Sequence, residues 1–89
     1  MLSFLAKGGF LSVDVRKCRI KMVWSGESET WYAESDDVPG LATGARSFDA
    51  LVERVKNIVP ELLGDNLGYV GSVELGYDVE RIDVLKSVS

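Results

Sequence analysis

The chain contains no histidine, a single cysteine and no long apolar run. Histidine is the commonest general base and metal ligand, so its absence excludes the serine and cysteine triads that depend on it. Cys18 alone cannot form an internal disulfide, which suits a reducing cytoplasm. It alternates with apolar neighbours, so we interpret it as a small buried side chain and not as a reactive thiol. No stretch approaches the ~18 residues of a membrane-spanning helix. We therefore expect a cytoplasmic protein without a membrane segment.

Basic residues are few and scattered, and the formal net charge is −4. Proteins that grip nucleic acid usually cluster lysine and arginine, because neutralising phosphates supplies much of the affinity. The densest basic run is RKCRIK, residues 16–21, and its charges fall on both faces of a strand. We therefore expect no direct binding of nucleic acid by this chain alone.

With 89 residues, 46% of them hydrophobic, the chain is long enough for one domain. A domain of this size supports about one sheet and one helix layer. We divide it into an N-terminal extension, residues 1–15, and a single α+β domain, residues 16–89. The first residues, MLSFLAKGGFLSV, lack the basic start and cleavage site of a secretory signal. We expect them to cover apolar surface or to meet a partner.

Alternating apolar and polar residues predict three strands in the first half of the chain. Residues 16–24 and 30–36 form a hairpin around the polar stretch SGESE. Pro39 and Gly40 then form a turn, because proline fixes φ and glycine accepts positive φ. The short run that follows, residues 41–46, is the third strand.

A long amphipathic helix is the clearest element in the sequence. Ser47 is a plausible N-cap, and Gly64 is the expected C-terminal stop. Pro60 falls on the polar face, where it favours either a bend or a break into two pieces. The apolar positions fall within an arc of roughly 140° at ~100° per residue. They are Phe48, Leu51, Val52, Val55, Ile58, Val59, Leu62 and Leu63.

A fourth strand follows the helix, with Val73, Leu75, Tyr77 and Val79 alternating. Ile82 has the opposite parity, so a bulge or a turn near residues 80–81 is needed to reconcile the two runs. The predicted fold is therefore α+β with the order β-β-β-α-β. We expect an antiparallel sheet of three to four strands with one long helix packed on one face.

Three carboxylates, Glu34, Asp36 and Asp37, stand beside the Pro-Gly turn and are the candidate functional residues. A two-metal nuclease would need several converging acids, with a helical acid such as Asp49 or Glu53 joining them. Both helical acids lie outside the apolar arc and point away from the sheet. An aspartate before a Pro-Gly turn is also common for a structural reason, because its side chain caps backbone N–H groups. We therefore interpret the acids as the polar edge of a strand entering a turn.

Tyr32 shares the parity of Glu34 and Asp36, on the sheet face that the helix leaves open if Trp31 faces the core. Such a face is a candidate protein-binding surface, with Tyr32, Glu34, Asp36 and Asp37 as its residues. Trp24 and Trp31 flank the hairpin, and we expect them to pair across it.

The string WYAESDDVPGLATGARSFDALVERVKNIVPELL, residues 31–63, carries a family resemblance. It resembles the small stand-alone HicB-like proteins, a bacterial branch of unknown function related to the HicB antitoxins. The shared pattern is a strand beginning with tryptophan and continuing Ala-Glu-Ser-Asp-Asp, then Pro-Gly-Leu, then a helix ending Val-Pro-Glu-Leu-Leu. There are departures: Gly44 stands where the family often has an acid, Ser47 replaces a threonine cap, and Ala50 replaces a frequent glutamate.

The resemblance implies a HicB-like fold, a reduced ribonuclease H-like arrangement without that enzyme's activity. HicB antitoxins silence HicA, a small basic ribonuclease, in toxin–antitoxin systems. Many HicB proteins also carry a C-terminal DNA-binding module. Since the fourth strand uses most of residues 65–89, we do not expect such a module within this sequence.

Three functions remain open at this point. The first is a non-catalytic, antitoxin-like module that masks a small basic protein such as a HicA-type toxin. The second is a structural or regulatory homo-oligomer, a dimer or tetramer, without a toxin partner. The third, more remote, is a metal-dependent nuclease that uses Glu34, Asp36 or Asp37. We expect the first, with no enzymatic activity, no cofactor and no bound metal.

Overall fold

The computed structural model describes residues 15–87, and the N-terminal extension predicted over residues 1–15 lies almost wholly outside this range. The described residues form four strands and one helix. These are β1 (Val15–Ser25), β2 (Thr30–Glu34), β3 (Ala42–Ala45), α1 (Phe48–Leu67) and β4 (Ser72–Glu80). The predicted α+β class and the order β-β-β-α-β are confirmed.

The four strands form one sheet in the order β3-β2-β1-β4. β1 pairs antiparallel with β2, and β2 pairs antiparallel with β3. β4 runs parallel to β1, so the sheet is mixed and the expectation of a purely antiparallel sheet is corrected. The parallel pairing follows from the position of the helix. Because α1 carries the chain back along the sheet after β3, β4 runs in the same direction as β3, which is also the direction of β1.

The core lies between the helix and one face of the sheet. From β1, the side chains of Cys18, Ile20 and Met22 are buried under the helix, as their alternation predicts. Burial raises the pKa of the Cys18 thiol, which favours the protonated form over the reactive thiolate. The buried set comprises Cys18, Ile20, Met22, Trp31, Ala33, Val38, Leu41, Leu51, Val55, Val59 and Leu63.

The predicted tryptophan pair closes the first hairpin. Trp24 lies directly opposite Trp31 in the β1–β2 register, with ring centroids 5.4 Å apart. Phe48, the first residue of the helix, meets Trp31 edge-on at 5.2 Å. These contacts fix the helix N-terminus against the hairpin.

The helix begins as the sequence predicts and ends later. The hydroxyl of Ser47 accepts a hydrogen bond from the N–H of Ala50, 3.1 Å away. The helix is continuous through Pro60, which is exposed on its outer face. The predicted end at Gly64 is wrong, because Gly68 and not Gly64 takes the left-handed conformation, with φ of 65°. The N–H of Gly68 donates to the Gly64 carbonyl at 3.1 Å, and this bond closes the last turn.

The helix residues predicted to face the core divide into two groups by burial. Leu51, Val55, Val59 and Leu63 are fully buried. Phe48, Val52, Ile58 and Leu62 are half-buried and pack around them. The helix therefore packs a stripe of fully buried side chains against the sheet, and half-buried side chains flank this stripe.

The parity change after Val79 needs no bulge. β4 keeps a regular register with β1 until Glu80, opposite Val23, and residues 81–87 continue without helix or strand. Within residues 15–87, no helix has the length and apolarity needed to cross a membrane.

Candidate functional site

The face of the sheet opposite the helix, called the open face here, is not covered by any other element of residues 15–87. Strand alternation places a polar set of side chains on it, because residues one apart point to opposite faces. The central strand β1 contributes cations, and its neighbours contribute acids and one aromatic ring. The polar set is Lys17, Arg19 and Lys21 from β1, Tyr32 and Glu34 from β2, and Glu74, Asp78 and Glu80 from β4, and the apolar Val23 lies on the same face.

Two of the cations are paired with acids of β4. Arg19 Nε donates to Asp78 Oδ2 at 3.1 Å, and its Nη2 donates to the other carboxylate oxygen. This hydrogen bonding, with the attraction of the guanidinium, holds the pKa of Asp78 below its usual range. Lys21 Nζ lies 3.6 Å from Glu80 Oε1. The positive charge in the middle of the open face is therefore largely compensated from the β4 side.

Asp37 has a structural role in the turn after β2. Its carboxylate accepts a hydrogen bond from the backbone N–H of Arg19 at 2.7 Å. Ser35 Oγ donates to the Arg19 carbonyl at 2.6 Å and accepts from the N–H of Asp37 at 3.0 Å. The side chains of Ser35 and Asp37 thus form hydrogen bonds with the backbone of Arg19 in β1, just beyond the last residue of β2 that pairs with β1.

Glu34 and Asp36 are both exposed, and neither makes an ion pair with any residue in the range 15–87. Tyr32 stands beside them with 46% of its surface exposed, and its hydroxyl lies 3.3 Å from Ser28 Oγ. The four residues predicted to form a protein-binding surface therefore fall into two groups. Tyr32, Glu34 and Asp36 are available to a partner, whereas Asp37 is engaged by Arg19.

The helical acids do not join this group. Asp49 and Glu53 are exposed on the far side of the sheet, and Glu53 pairs with Lys56 at 3.1 Å. Among the described residues no three acids or thiols converge on a point where a metal ion would fit.

The Pro-Gly turn holds the acidic segment against the helix. Pro39 and Gly40 occupy its central positions, with φ of 87° at Gly40, and the Leu41 N–H donates to the Val38 carbonyl at 3.2 Å. Asn66 of the helix donates from Nδ2 to the Pro39 carbonyl at 2.9 Å. The acids therefore sit on a fixed turn.

Two adjacent depressions mark the open face. The first, the acidic depression, has a volume of about 690 Å³. It is lined by Arg19, Lys21, Glu34, Ser35, Asp36, Asp37, Leu41, Asp78, Val79 and Glu80. The second, the apolar groove, has a volume of about 620 Å³. It is lined by Val23, Tyr32, Ala33, Glu34, Leu41, Ala42, Thr43 and Gly44.

Gly44 allows the Tyr32 ring to approach β3 closely. A Cβ at this position would lie 3.0 Å from the Trp31 carbonyl oxygen and 3.0 Å from the Tyr32 ring. The ring of Tyr32 therefore lies over the bare backbone of β3, a use of glycine that the sequence alone did not indicate.

The residues that sequence reasoning missed are Arg19, Asp78 and Ser35. Arg19 and Asp78 meet only because β4 joins the sheet beside β1, 59 positions further along the chain. The string Glu-Ser-Asp-Asp at the end of a strand was a usable signal for Ser35, since short polar side chains often bond to backbone groups there.

Comparison with known proteins identifies the family. Residues 17–81, well over half of the chain, match a family described as a domain of unknown function, DUF1902. The chain belongs to that family. It is also similar to a solved structure, that of the hypothetical protein TTHA1013 from the extremely thermophilic bacterium Thermus thermophilus. The two are 41% identical with a TM-score of 0.68, over 79% of this chain and 100% of that one. No curated protein matches the chain.

Proposed function

We propose that this chain is a non-catalytic protein-binding module of the HicB-like, antitoxin-like type, acting in the cytoplasm. The acidic part of its open face masks a small basic protein, such as a HicA-type ribonuclease toxin. The observation that carries the proposal is the pair of exposed carboxylates, Glu34 and Asp36, which make no ion pair among residues 15–87.

The local charge and an exposed aromatic ring both support a basic protein partner. Arg19 and Lys21, the nearest cations, are already paired with β4 acids. The local field at Glu34 and Asp36 is therefore negative, which attracts a basic surface and speeds its association. Tyr32 supplies a half-exposed aromatic ring of the kind that anchors protein interfaces.

The nuclease alternative receives less support from the geometry. Of its three candidate acids, Asp37 is held by the Arg19 backbone, which leaves Glu34 and Asp36. Nuclease sites that act through two divalent ions need more converging carboxylates than these two. Self-assembly, the other alternative, is compatible with the proposal and is taken up below.

The experiment is an affinity capture of the tagged full chain from its native lysate, with mass spectrometry of the bound proteins. We expect a small basic protein in near-equal amount at low salt, released at high salt because exposed charge pairs are screened. The double variant Glu34→Gln/Asp36→Asn is expected to lose this protein. The matched control Glu61→Gln/Asp65→Asn changes the charge by the same amount on the exposed side of the helix and is expected to keep it. Recovery of the bait alone, or equal capture by both double variants, would overturn the proposal.

A further inference from the structure

The segment that follows β4 exposes apolar side chains for which residues 15–87 offer no cover. Residues 81–87, called the C-terminal arm here, are exposed throughout. Ile82 is 71% exposed, Val84 80% and Leu85 93%. Single exposed apolar residues are common, whereas exposed apolar residues grouped together mark an interaction site, and these three fall within four positions.

The arm is fixed at its root. The guanidinium of Arg81 lies over the Trp24 ring, 4.4 Å from its centroid, and 5.7 Å from that of Trp31. Arg81 Nε also donates to Asp83 Oδ2 at 3.0 Å. These contacts set the direction in which the arm leaves the sheet. The apolar side chains of the arm are not covered by residues 15–87 of their own chain.

The root and the apolar groove lie at the same level of the sheet. Glu80 is opposite Val23, Val23 is opposite Tyr32, and Tyr32 is opposite Gly44. Arg81 packs on Trp24 and Trp31, on the helix side of the sheet, so the groove of the same chain lies on the opposite face from the root of the arm. Residues 81–85 span roughly 17 Å when extended, which is enough to lie across a groove about two strand spacings wide, roughly 10 Å.

We propose that the apolar groove is occupied by the C-terminal arm of a second copy of this chain, and that two copies exchange arms reciprocally. Apolar side chains of the arm meet the groove formed by Val23, Tyr32 and Gly44. The charges also complement each other. Lys86 lies near the end of the arm, and Glu34 stands at the rim of the groove without an ion pair among the described residues.

Reciprocal exchange gives a closed dimer, because each copy contributes one arm and one groove and none is left over. The inference goes beyond the proposed function and does not depend on it. The arm and a basic protein both use Tyr32 and Glu34 and therefore compete for the groove, whereas Asp36 lies outside the groove in the acidic depression.

The first test is the molecular mass of the full chain by sedimentation equilibrium over a range of concentrations. We expect twice the 9.8 kDa of one chain. Leu85→Asp places a charge in the apolar contact and is expected to weaken the dimer at least tenfold. Val70→Asp is the matched control, because Val70 is 92% exposed but lies outside the arm, and its dimer is expected to be unchanged.

The second test locates the contact. Ala42 is exposed on the open-face side of β3, opposite Glu34. The variant Ala42→Cys/Leu85→Cys is expected to form intermolecular disulfides between positions 42 and 85 on oxidation, identified by peptide mapping. The native Cys18 is buried and does not compete. A monomer at every concentration, a dimer that is equally stable with Leu85→Asp, or a dimer without the 42–85 link would each overturn the proposal.

Discussion

The carboxylate of Asp37 accepts a hydrogen bond from the backbone N–H of Arg19, a residue 18 positions earlier in the chain. β2 ends at Glu34, opposite Lys21, so the strand that would satisfy Arg19 is no longer present. Asp37 and Ser35 take its place with side-chain atoms. This contact ties the acidic turn to β1, an inner strand of the sheet, and so it fixes the position of the segment that carries Glu34 and Asp36.

Replacing Asp37 by alanine is expected to destabilise the fold by about 1–2 kcal/mol, because the Arg19 N–H loses a charged acceptor. The measurement is the free energy of unfolding in urea. Asp37→Asn is expected to retain most of the stability, since its amide oxygen accepts the same bond.

Asp36→Ala is the matched control. Asp36 is the preceding residue and is exposed, and no side-chain hydrogen bond of the described residues involves it, so a change within about 0.5 kcal/mol is expected. Equal losses for Asp36→Ala and Asp37→Ala would contradict the structural role of Asp37.

The ion pair between Arg19 and Asp78 predicts that the free energy of unfolding depends on pH in the acidic range. The pKa of Asp78 is lowered by the Arg19 hydrogen bond, whereas an unfolded aspartate has a pKa of about 3.9. The stabilisation by Asp78 is therefore fully present above that pH and is lost as the pH falls through and below it. Both side chains are 61% exposed, so the effect is small and screened by salt. Urea unfolding from about pH 5 downwards is expected to show a shallower loss of stability for Asp78→Asn than for the native chain. Identical pH profiles would contradict this assignment.

Gly76 allows the same pair to form. The Arg19 side chain lies across the bare backbone of Gly76, and a Cβ there would collide with the guanidinium. Gly76→Ala is expected to displace Arg19 and return the pKa of Asp78 towards its ordinary value, which NMR titration of the carboxyl would measure. The free energy of unfolding is expected to change little, because a flexible side chain moves and alanine suits a strand better than glycine. An unchanged pKa of Asp78 would contradict the contact.

Much of the fold followed from local patterns in the sequence. Alternation located β1 and β2, and the helical spacing of residues such as Leu51 and Val55 located the core face of α1. The end of the helix at Gly68 could not be predicted from the sequence, because Gly64 and Gly68 are both glycines and each is an equally good local signal for a helix end. The helix continues past Gly64 to Leu67, and Asn66 in this last turn donates to the Pro39 carbonyl.

The site was less accessible to sequence reasoning than the fold. The parity of Tyr32 and Glu34 placed them on one face, since alternation along a strand is a local property. The engagement of Asp37 and the pairing of Arg19 with Asp78 depend instead on which strands become neighbours. That choice is set by the crossover of the helix and by packing, so no local pattern records it.

Gly44→Ala is expected to destabilise the chain by about 1–3 kcal/mol, because the new Cβ meets a backbone carbonyl as well as the Tyr32 ring. Thermal or urea unfolding measures the change. Gly26→Ala is the control, since the nearest atom to its Cβ is 3.7 Å away and φ is not positive there. A loss as large for Gly26 as for Gly44 would contradict the close approach of Tyr32 to β3.

The central claim is that Glu34 and Asp36 bind a basic protein, and a binding isotherm tests it most directly. The basic protein captured from the lysate is purified and titrated with the native chain, with Glu34→Gln/Asp36→Asn and with Glu61→Gln/Asp65→Asn, at low and high salt. We expect Glu34→Gln/Asp36→Asn to bind about tenfold more weakly than the native chain, which corresponds to roughly 1.4 kcal/mol for two interfacial charges. We expect the affinity of Glu61→Gln/Asp65→Asn to be unchanged. Equal affinities for all three chains, at both salt concentrations, would contradict it.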